Sequence, residues 1–151
     1  MKNEIYLDIT SDSYNCGGYD PEDSWSRDSY SYSWYFNGFT TQKNSSHYSL
    51  PVKDFDKSKL LFAVYVIYST GDSFGHDENA QLELIYIGHD GELAHKIKKF
   101  IEEDYDKKRD GYDGDIYKKP SVVDGVEFWT YPWKGYFESL SYVSVESGYA
   151  K

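Results

Sequence analysis

The sequence predicts an α+β fold: a mainly antiparallel sheet with one amphipathic helix packed on one face, in a single domain over residues 1–151. Three observations carry that expectation. Residues 60–68, Leu60-Leu61-Phe62-Ala63-Val64-Tyr65-Val66-Ile67-Tyr68, are the longest apolar run and contain neither Gly nor Pro. Such a run, rich in β-branched and aromatic residues, suits a strand buried on both faces; the alternative, a buried helix, is usually longer. Residues 80–87 follow after a polar, Gly-containing loop, with Leu82, Leu84 and Tyr86 alternating with Gln81, Glu83 and Ile85. The two runs therefore read as an antiparallel hairpin with a long tip. From Glu92 the period changes, and Leu93, Ile97, Phe100, Ile101 and Tyr105 recur at helical spacing, with Lys96, Lys98, Lys99, Glu102 and Glu103 on the other side.

Taken in order, Ile5, Leu7 and Ile9 alternate with Tyr6, Asp8 and Thr10, the pattern of a half-buried strand. Residues 11–27 are rich in Asp, Ser, Gly and Tyr and read as a long loop. Pro21 and the acids around it suit one helical turn there. Residues 29–36 alternate most clearly: Tyr30, Tyr32, Trp34 and Phe36 on one face, Ser29, Ser31, Ser33 and Tyr35 on the other. Asn37-Gly38 is a tight-turn dipeptide, so the chain is expected to reverse there and Phe39 to open a return strand. Residues 44–59, carrying Pro51, read as a polar connection. After the hairpin, Gly88-His89-Asp90-Gly91 breaks the sheet pattern, with Asp90 as helix N-cap. The helix is expected from about 91 to about 107. Residues 107–120 are charged and read as a loop. Val122 to Val126 read as a strand interrupted by the Asp124-Gly125 turn, residues 127–131 as a strand ended by Pro132, and residues 133–137 as an aromatic turn. Residues 140–146 form a last strand, Val143 and Val145 facing away from Tyr142 and Ser144.

The chain has 16 basic against 26 acidic residues, a net charge of -10. That balance argues against direct contact with nucleic acid or an anionic membrane and suits a basic protein partner. Seventeen tyrosines exceed what a core of this size can bury with every hydroxyl satisfied, so many are expected half-exposed on sheet faces. Cys16 is the only cysteine, which excludes an intramolecular disulfide and fits a reducing cytosol. No apolar run reaches the ~20 residues of a membrane span, and the first residues lack a signal-peptide core. The expected location is therefore cytoplasmic.

Chemistry-bearing patterns are sparse. Asp72, His76, Asp77 and Glu78 share one loop but match no calcium-loop spacing, and Asp110, Asp113 and Asp115 lack the order and terminal Glu of an EF-hand. Cys16 and the four histidines (His47, His76, His89, His95) form no nucleophile–base signature, and there is no G-x-S-x-G, P-loop or G-x-G-x-x-G. His95, beside Lys96, is expected in solvent. No catalytic residue, metal or cofactor is expected. Base stacking on aromatics needs interleaved Lys and Arg, which the 30–36 stretch lacks; sugar binding stays open.

The charge layout is the informative feature. Residues 72–92 hold Asp72, Asp77, Glu78, Glu83, Asp90 and Glu92 with no Lys or Arg; residues 8–28 hold Asp8, Asp12, Asp20, Glu22, Asp23 and Asp28 against Arg27 alone. The expected partner-binding residues are Asp72, Asp77, Glu78, Asp12, Asp20, Glu22 and Asp23, forming one acidic surface if both segments lie at one end of the sheet.

Two stretches, Val64-Tyr65-Val66-Ile67-Tyr68-Ser69-Thr70-Gly71-Asp72-Ser73-Phe74-Gly75 and Tyr131-Pro132-Trp133-Lys134-Gly135-Tyr136-Phe137-Glu138-Ser139-Leu140, resemble segments of small uncharacterised bacteriophage-encoded proteins. In size, acidity and Tyr/Asp richness the chain also resembles phage inhibitors of bacterial defence, such as anti-CRISPR and DNA-mimic proteins. That resemblance implies a non-enzymatic inhibitor acting in the cytoplasm of an infected bacterium, on a host defence protein with a basic surface. The alternatives are a small-ligand-binding protein that sequesters a signalling nucleotide or a sugar, and a structural or regulatory phage protein.

Overall fold

The computed structural model describes residues 2–17, 22, 29–43, 47–70, 79–108, 120–129 and 139–151. Its elements are β1 (Lys2–Gly17), β2 (Ser29–Thr40), β3 (Ser49–Lys53), β4 (Leu61–Thr70), β5 (Asn79–Gly88), α1 (Gly91–Lys108), β6 (Ser121–Val123), β7 (Val126–Phe128) and β8 (Ser139–Gly148). The fold is α+β: among the described residues, antiparallel sheets with a single helix packed on them. A first sheet has the order β2-β1-β3, a second the order β5-β4-β8, and β6 and β7 form a separate hairpin.

The run at 60–68 is the central strand β4, and its two faces build two different cores. Leu61, Ala63, Tyr65 and Ile67 meet the first sheet through Ile5, Leu7, Ile9, Phe39 and Val52. Val64 and Val66 turn the other way, onto Ala94, Ile97 and Ile101 of α1. The layers are thus sheet, sheet, then helix with the β6–β7 hairpin. Asp90 caps α1 as expected: its Oδ1 accepts from the Leu93 N–H at 3.0 Å. The helix ends one residue beyond the expected boundary. His95 is exposed, as its place beside Lys96 implied. Asp124 (φ 44) and Gly125 (φ 87) both take left-handed backbone, the two-residue primed turn that joins tight hairpins.

Four expectations are corrected. Residues 11–17 are not loop; β1 continues to Gly17, paired with β2 as far as Ser29. A partner strand of matching length outweighs the polar composition there. Asn37-Gly38 does not reverse the chain. Asp8 pairs with Gly38 and Ile9 with Phe36, leaving Asn37 as an extra residue, a bulge eased by Gly38 at φ 131. The extra residue restores the phase: an unbroken pleat would turn Phe39 outward, whereas here it is buried, edge-on to Phe36 at 5.2 Å between ring centroids. In β5, Val64 pairs with Tyr86 and Tyr65 with Leu84, so Ile85 is the extra residue. Tyr86 therefore leaves the face of Leu82 and Leu84 and packs toward α1, while Ile87 joins the first-sheet side. Residues 49–53, expected within a polar connection, are edge strand β3; Pro51 is tolerated because an edge strand keeps one side unpaired.

Val143 and Val145 pack toward α1, and Ser144 faces the other way, as expected. A bulge at Ser141 brings Leu140 onto the Val143 side. The helical turn at Pro21, the aromatic turn at 133–137 and the loop at 109–119 lie outside the described residues. Among the described residues no helix is long and apolar enough to cross a membrane.

Between the sheets, Tyr65 is 3% exposed and donates to Glu146 Oε1 at 3.3 Å, which also accepts from Ser144 Oγ at 3.1 Å. Burial, reinforced by the Glu146 charge, pushes the Tyr65 hydroxyl up to about 12. The unfolded chain ionises this group near ~10, so its stabilising effect is complete below that pH and is lost as pH rises through 12. A rise of this size corresponds to roughly 3 kcal/mol. Urea midpoints measured from pH 9.5 to 12 are expected to fall less in Tyr65→Phe than in the wild type; parallel curves would show that Tyr65 does not titrate differently on folding.

Candidate protein-binding surface

With Ile5, Leu7 and Ile9 turned into the core, the alternation of β1 turns Glu4, Tyr6, Asp8, Thr10 and Asp12 to the outer face of the first sheet. No bulge on β1 interrupts this series, because the extra residue at Asn37 belongs to β2. Across the ladder Asp8 faces Gly38, Thr10 faces Tyr35 and Asp12 faces Ser33; on the other side Glu4 faces Pro51 and Tyr6 faces Ser49. The three carboxylates stand at every fourth residue, about 13 Å apart along the strand. Ser49 Oγ donates to Glu4 Oε1 at 2.8 Å, and Asn37 Nδ2 donates to Thr10 Oγ1 at 3.3 Å. Tyr35 is 50% exposed among them. Among the described residues, the second sheet and the helix both lie on the opposite side.

Of the residues expected to meet a partner, Asp12 lies on this face and is exposed, and Glu22 is exposed in a turn. Asp20, Asp23, Asp72, Asp77 and Glu78 lie outside the described residues. The topology does place the strand ends that flank them. Phe39 and Ala150 form a parallel bridge, closed by the Lys151 N–H on Phe39 O at 3.0 Å. Since β2 is antiparallel to β1 and β8 to β4, strands β1 and β4 run the same way. Gly17 and Thr70, the strand ends that precede Asp20 and Asp72 in the sequence, are therefore at the same end of the sandwich. Asp8 belongs to the acidic 8–28 stretch but is not among the expected partner-binding residues, and Glu4 is in neither set. Their signal was present: acids at 4, 8 and 12 within one alternating strand must share a face.

At the other end, β3, β5, His89 and Asp90 ahead of α1, and the β6–β7 turn enclose an open cleft of about 760 Å³. Leu50, Val52, Ile85 and Ile87 give it an apolar floor, and Lys53, Lys59, Asp54, Asp90 and Asp124 stand on its rim. Most of its polar groups are already engaged. His89 Nε2 accepts from the Asp56 N–H at 3.0 Å, so Nδ1 carries the proton and donates to Leu60 O at 2.9 Å. Asp90 is the helix cap, and Asp124 pairs with Lys96 at 2.8 Å. The Tyr86 hydroxyl accepts from the Asp90 N–H at 3.3 Å, and burial raises it above the ordinary tyrosine range. Bonds from the Ser58 hydroxyl and N–H lower the Asp56 carboxyl, while burial raises that of Glu83 on β5. The cleft thus offers volume and apolar surface rather than a nucleophile beside a free base. Among the described residues no group of three or more His, Cys, Asp and Glu is placed to hold a metal ion. Comparison with known protein families, with curated proteins and with solved structures yields no match to the chain.

Proposed function

We propose that this chain is a non-enzymatic binding protein whose acidic, tyrosine-bearing face engages a basic protein surface. In its specific form, it is a phage-encoded inhibitor that occupies the nucleic-acid groove of a host defence protein in the infected cell's cytoplasm. The observation that carries this reading is the outer face of the first sheet, where β1 presents Glu4, Asp8 and Asp12 in a fixed row beside Tyr6 and Tyr35. Carboxylates spaced on a rigid strand suit a groove built for phosphates, and tyrosine adds contact area at low entropic cost. The common end of β1 and β4 supports it further, since the strands that precede Asp20 and Asp72 both end there.

Two charge-neutralising variants test the reading: Glu4→Gln/Asp8→Asn/Asp12→Asn, and Asp72→Asn/Asp77→Asn/Glu78→Gln. Glu4 and Asp12 are exposed and Asp8 is half-buried on the outer face, and surface substitutions usually change stability by no more than about 0.5 kcal/mol each, so the first variant is expected to melt close to wild type. Binding to the partner recovered from bacterial lysate is expected to weaken, chiefly through a slower association rate. Added salt should weaken the wild type in the same way, because steering is screened beyond ~8–10 Å. Variants that bind as tightly as wild type, with salt-insensitive affinity, would remove the acidic face from the site.

The cleft favours a second reading, sequestration of a small signalling nucleotide or a sugar. Its volume falls in the range of small-molecule sites, ~300–1,000 Å³. Isothermal titration with cyclic nucleotides separates the two: heat that saturates at one equivalent supports the cleft, and silence supports the acidic face.

A further inference from the structure

Sheet edges are where a chain invites another strand, and proteins usually blunt them with short strands, charges, proline or bulges. Among the described residues, three of the four edges of the two three-stranded sheets carry a proline, a charge or both. β3 is only 5 residues long and contains Pro51 and Lys53; β5 is bulged at Ile85 and carries Glu83; β8 is bulged at Ser141 and carries Glu146. β2 does not. It is 12 residues long, ends the order β2-β1-β3, and holds no charged residue and no proline in a chain of net charge -10.

The chain's own C-terminal residues show what this edge accepts. Ala150 bridges Phe39 in parallel on the side away from β1, and Lys151 donates its N–H to Phe39 O at 3.0 Å. The Lys151 side chain then folds back along the edge, its Nζ donating to Asn37 O at 3.4 Å. Its Cε lies 3.5 Å from where a β-carbon of Gly38 would stand, over the glycine that faces Asp8. A basic residue on a short added strand is thus already seated at one end of β2. Upstream, the same arrangement recurs with no such occupant among the described residues: Ser33, another small residue, lies between the edge and Asp12.

We propose that the edge of β2 at residues 33–36 takes up an extended basic segment of the partner protein as an added strand, a cation opposite Ser33 reaching across it to Asp12. This deepens the acidic-face reading and rests on it. Backbone hydrogen bonds supply the register and the carboxylate row selects the charge, the division of labour seen when a strand adds to a sheet edge. Tyr35, two residues on and half exposed, offers its ring to the next outward side chain of the segment.

The test is fluorescence-anisotropy titration with a labelled nine-residue peptide of alternating Lys and Val. Its companions are an analogue N-methylated at alternate residues, which lacks the edge-facing N–H donors, and an analogue with Glu for Lys. The Lys peptide is expected to bind, and both analogues to bind at least tenfold more weakly. Asp12→Asn should weaken the Lys peptide several-fold, and Ser33→Lys should abolish binding with circular dichroism and melting temperature retained. If the N-methylated peptide binds as well as the parent while Asp12→Asn still weakens both, strand addition is overturned and the acidic face stands. If the Lys and Glu peptides bind alike and Asp12→Asn changes nothing, the acidic-face reading itself fails. Self-association by sedimentation that Ser33→Lys abolishes would give the edge to a second copy of the chain and overturn the proposal.

Discussion

Ile97→Asp is expected to abolish the native thermal transition or lower it drastically. Ile97 is fully buried where α1 lies on Val64 and Val66. Truncating such a side chain costs about 2–5 kcal/mol. Leaving a carboxylate in its place adds the cost of burying an unpaired charge, which the group escapes only by taking up a proton or breaking the contact. Domains of this size hold only about 5–15 kcal/mol in total. Ile97→Val, which keeps the shape and loses one methylene, is expected to cost about 0.5–1.5 kcal/mol and to melt cooperatively. A thermal melt of Ile97→Asp that overlays the wild type would refute the packing of α1 on β4.

His89→Ala is expected to be the most damaging change outside the two cores. One imidazole holds the 53–60 turn at three points: Asp56 N–H on Nε2, Leu60 O on Nδ1–H, and Phe55 stacked at 5.9 Å with 17° between the rings. Alanine leaves a part-buried backbone donor and a part-buried acceptor without partners, each worth about 1–3 kcal/mol. A loss of about 2–4 kcal/mol in urea denaturation is expected, with faster hydrogen exchange at the Asp56 amide. Equal stability together with unchanged exchange at Asp56 would mean that the turn holds itself.

The parts of this fold that were legible in the sequence are those where one chemical signal decides the structure. β4 was readable because a nine-residue apolar run has few other homes, and α1 because its period and its Asp90 cap agree. What escaped reading were the strands whose residues carry two messages. Asn37-Gly38 is good turn chemistry and equally good bulge chemistry. The choice between them depends on whether β1 is long enough to keep pairing, a non-local fact. Residues 11–17 and 49–53 are polar or hold proline, and only the strand beside them makes them strands. His89 gave no hint of its structural role, since its three contacts come from residues about 30 positions earlier in the chain. For the candidate surface, Asp12 was found by counting charge. Asp8 was counted in the same stretch, Glu4 needed the further step of extending the acidic series along the alternating strand, and most of the other expected residues fall outside the described part of the chain.

That β4 serves both cores from its opposite faces has a consequence for how the protein comes apart. In a two-layer sandwich with a helix added to the outside, the helix is free to melt first and leave the sheets intact. Here the residues that receive α1, Val64 and Val66, alternate along the backbone with Ala63, Tyr65 and Ile67, which receive the first sheet. A slip of β4 by one residue would exchange the two sets and empty both interfaces together. Neither layer can loosen its grip on β4 without disturbing the other, so helix and first sheet, which share few direct contacts, are bound into one cooperative unit by the pleat of the strand between them.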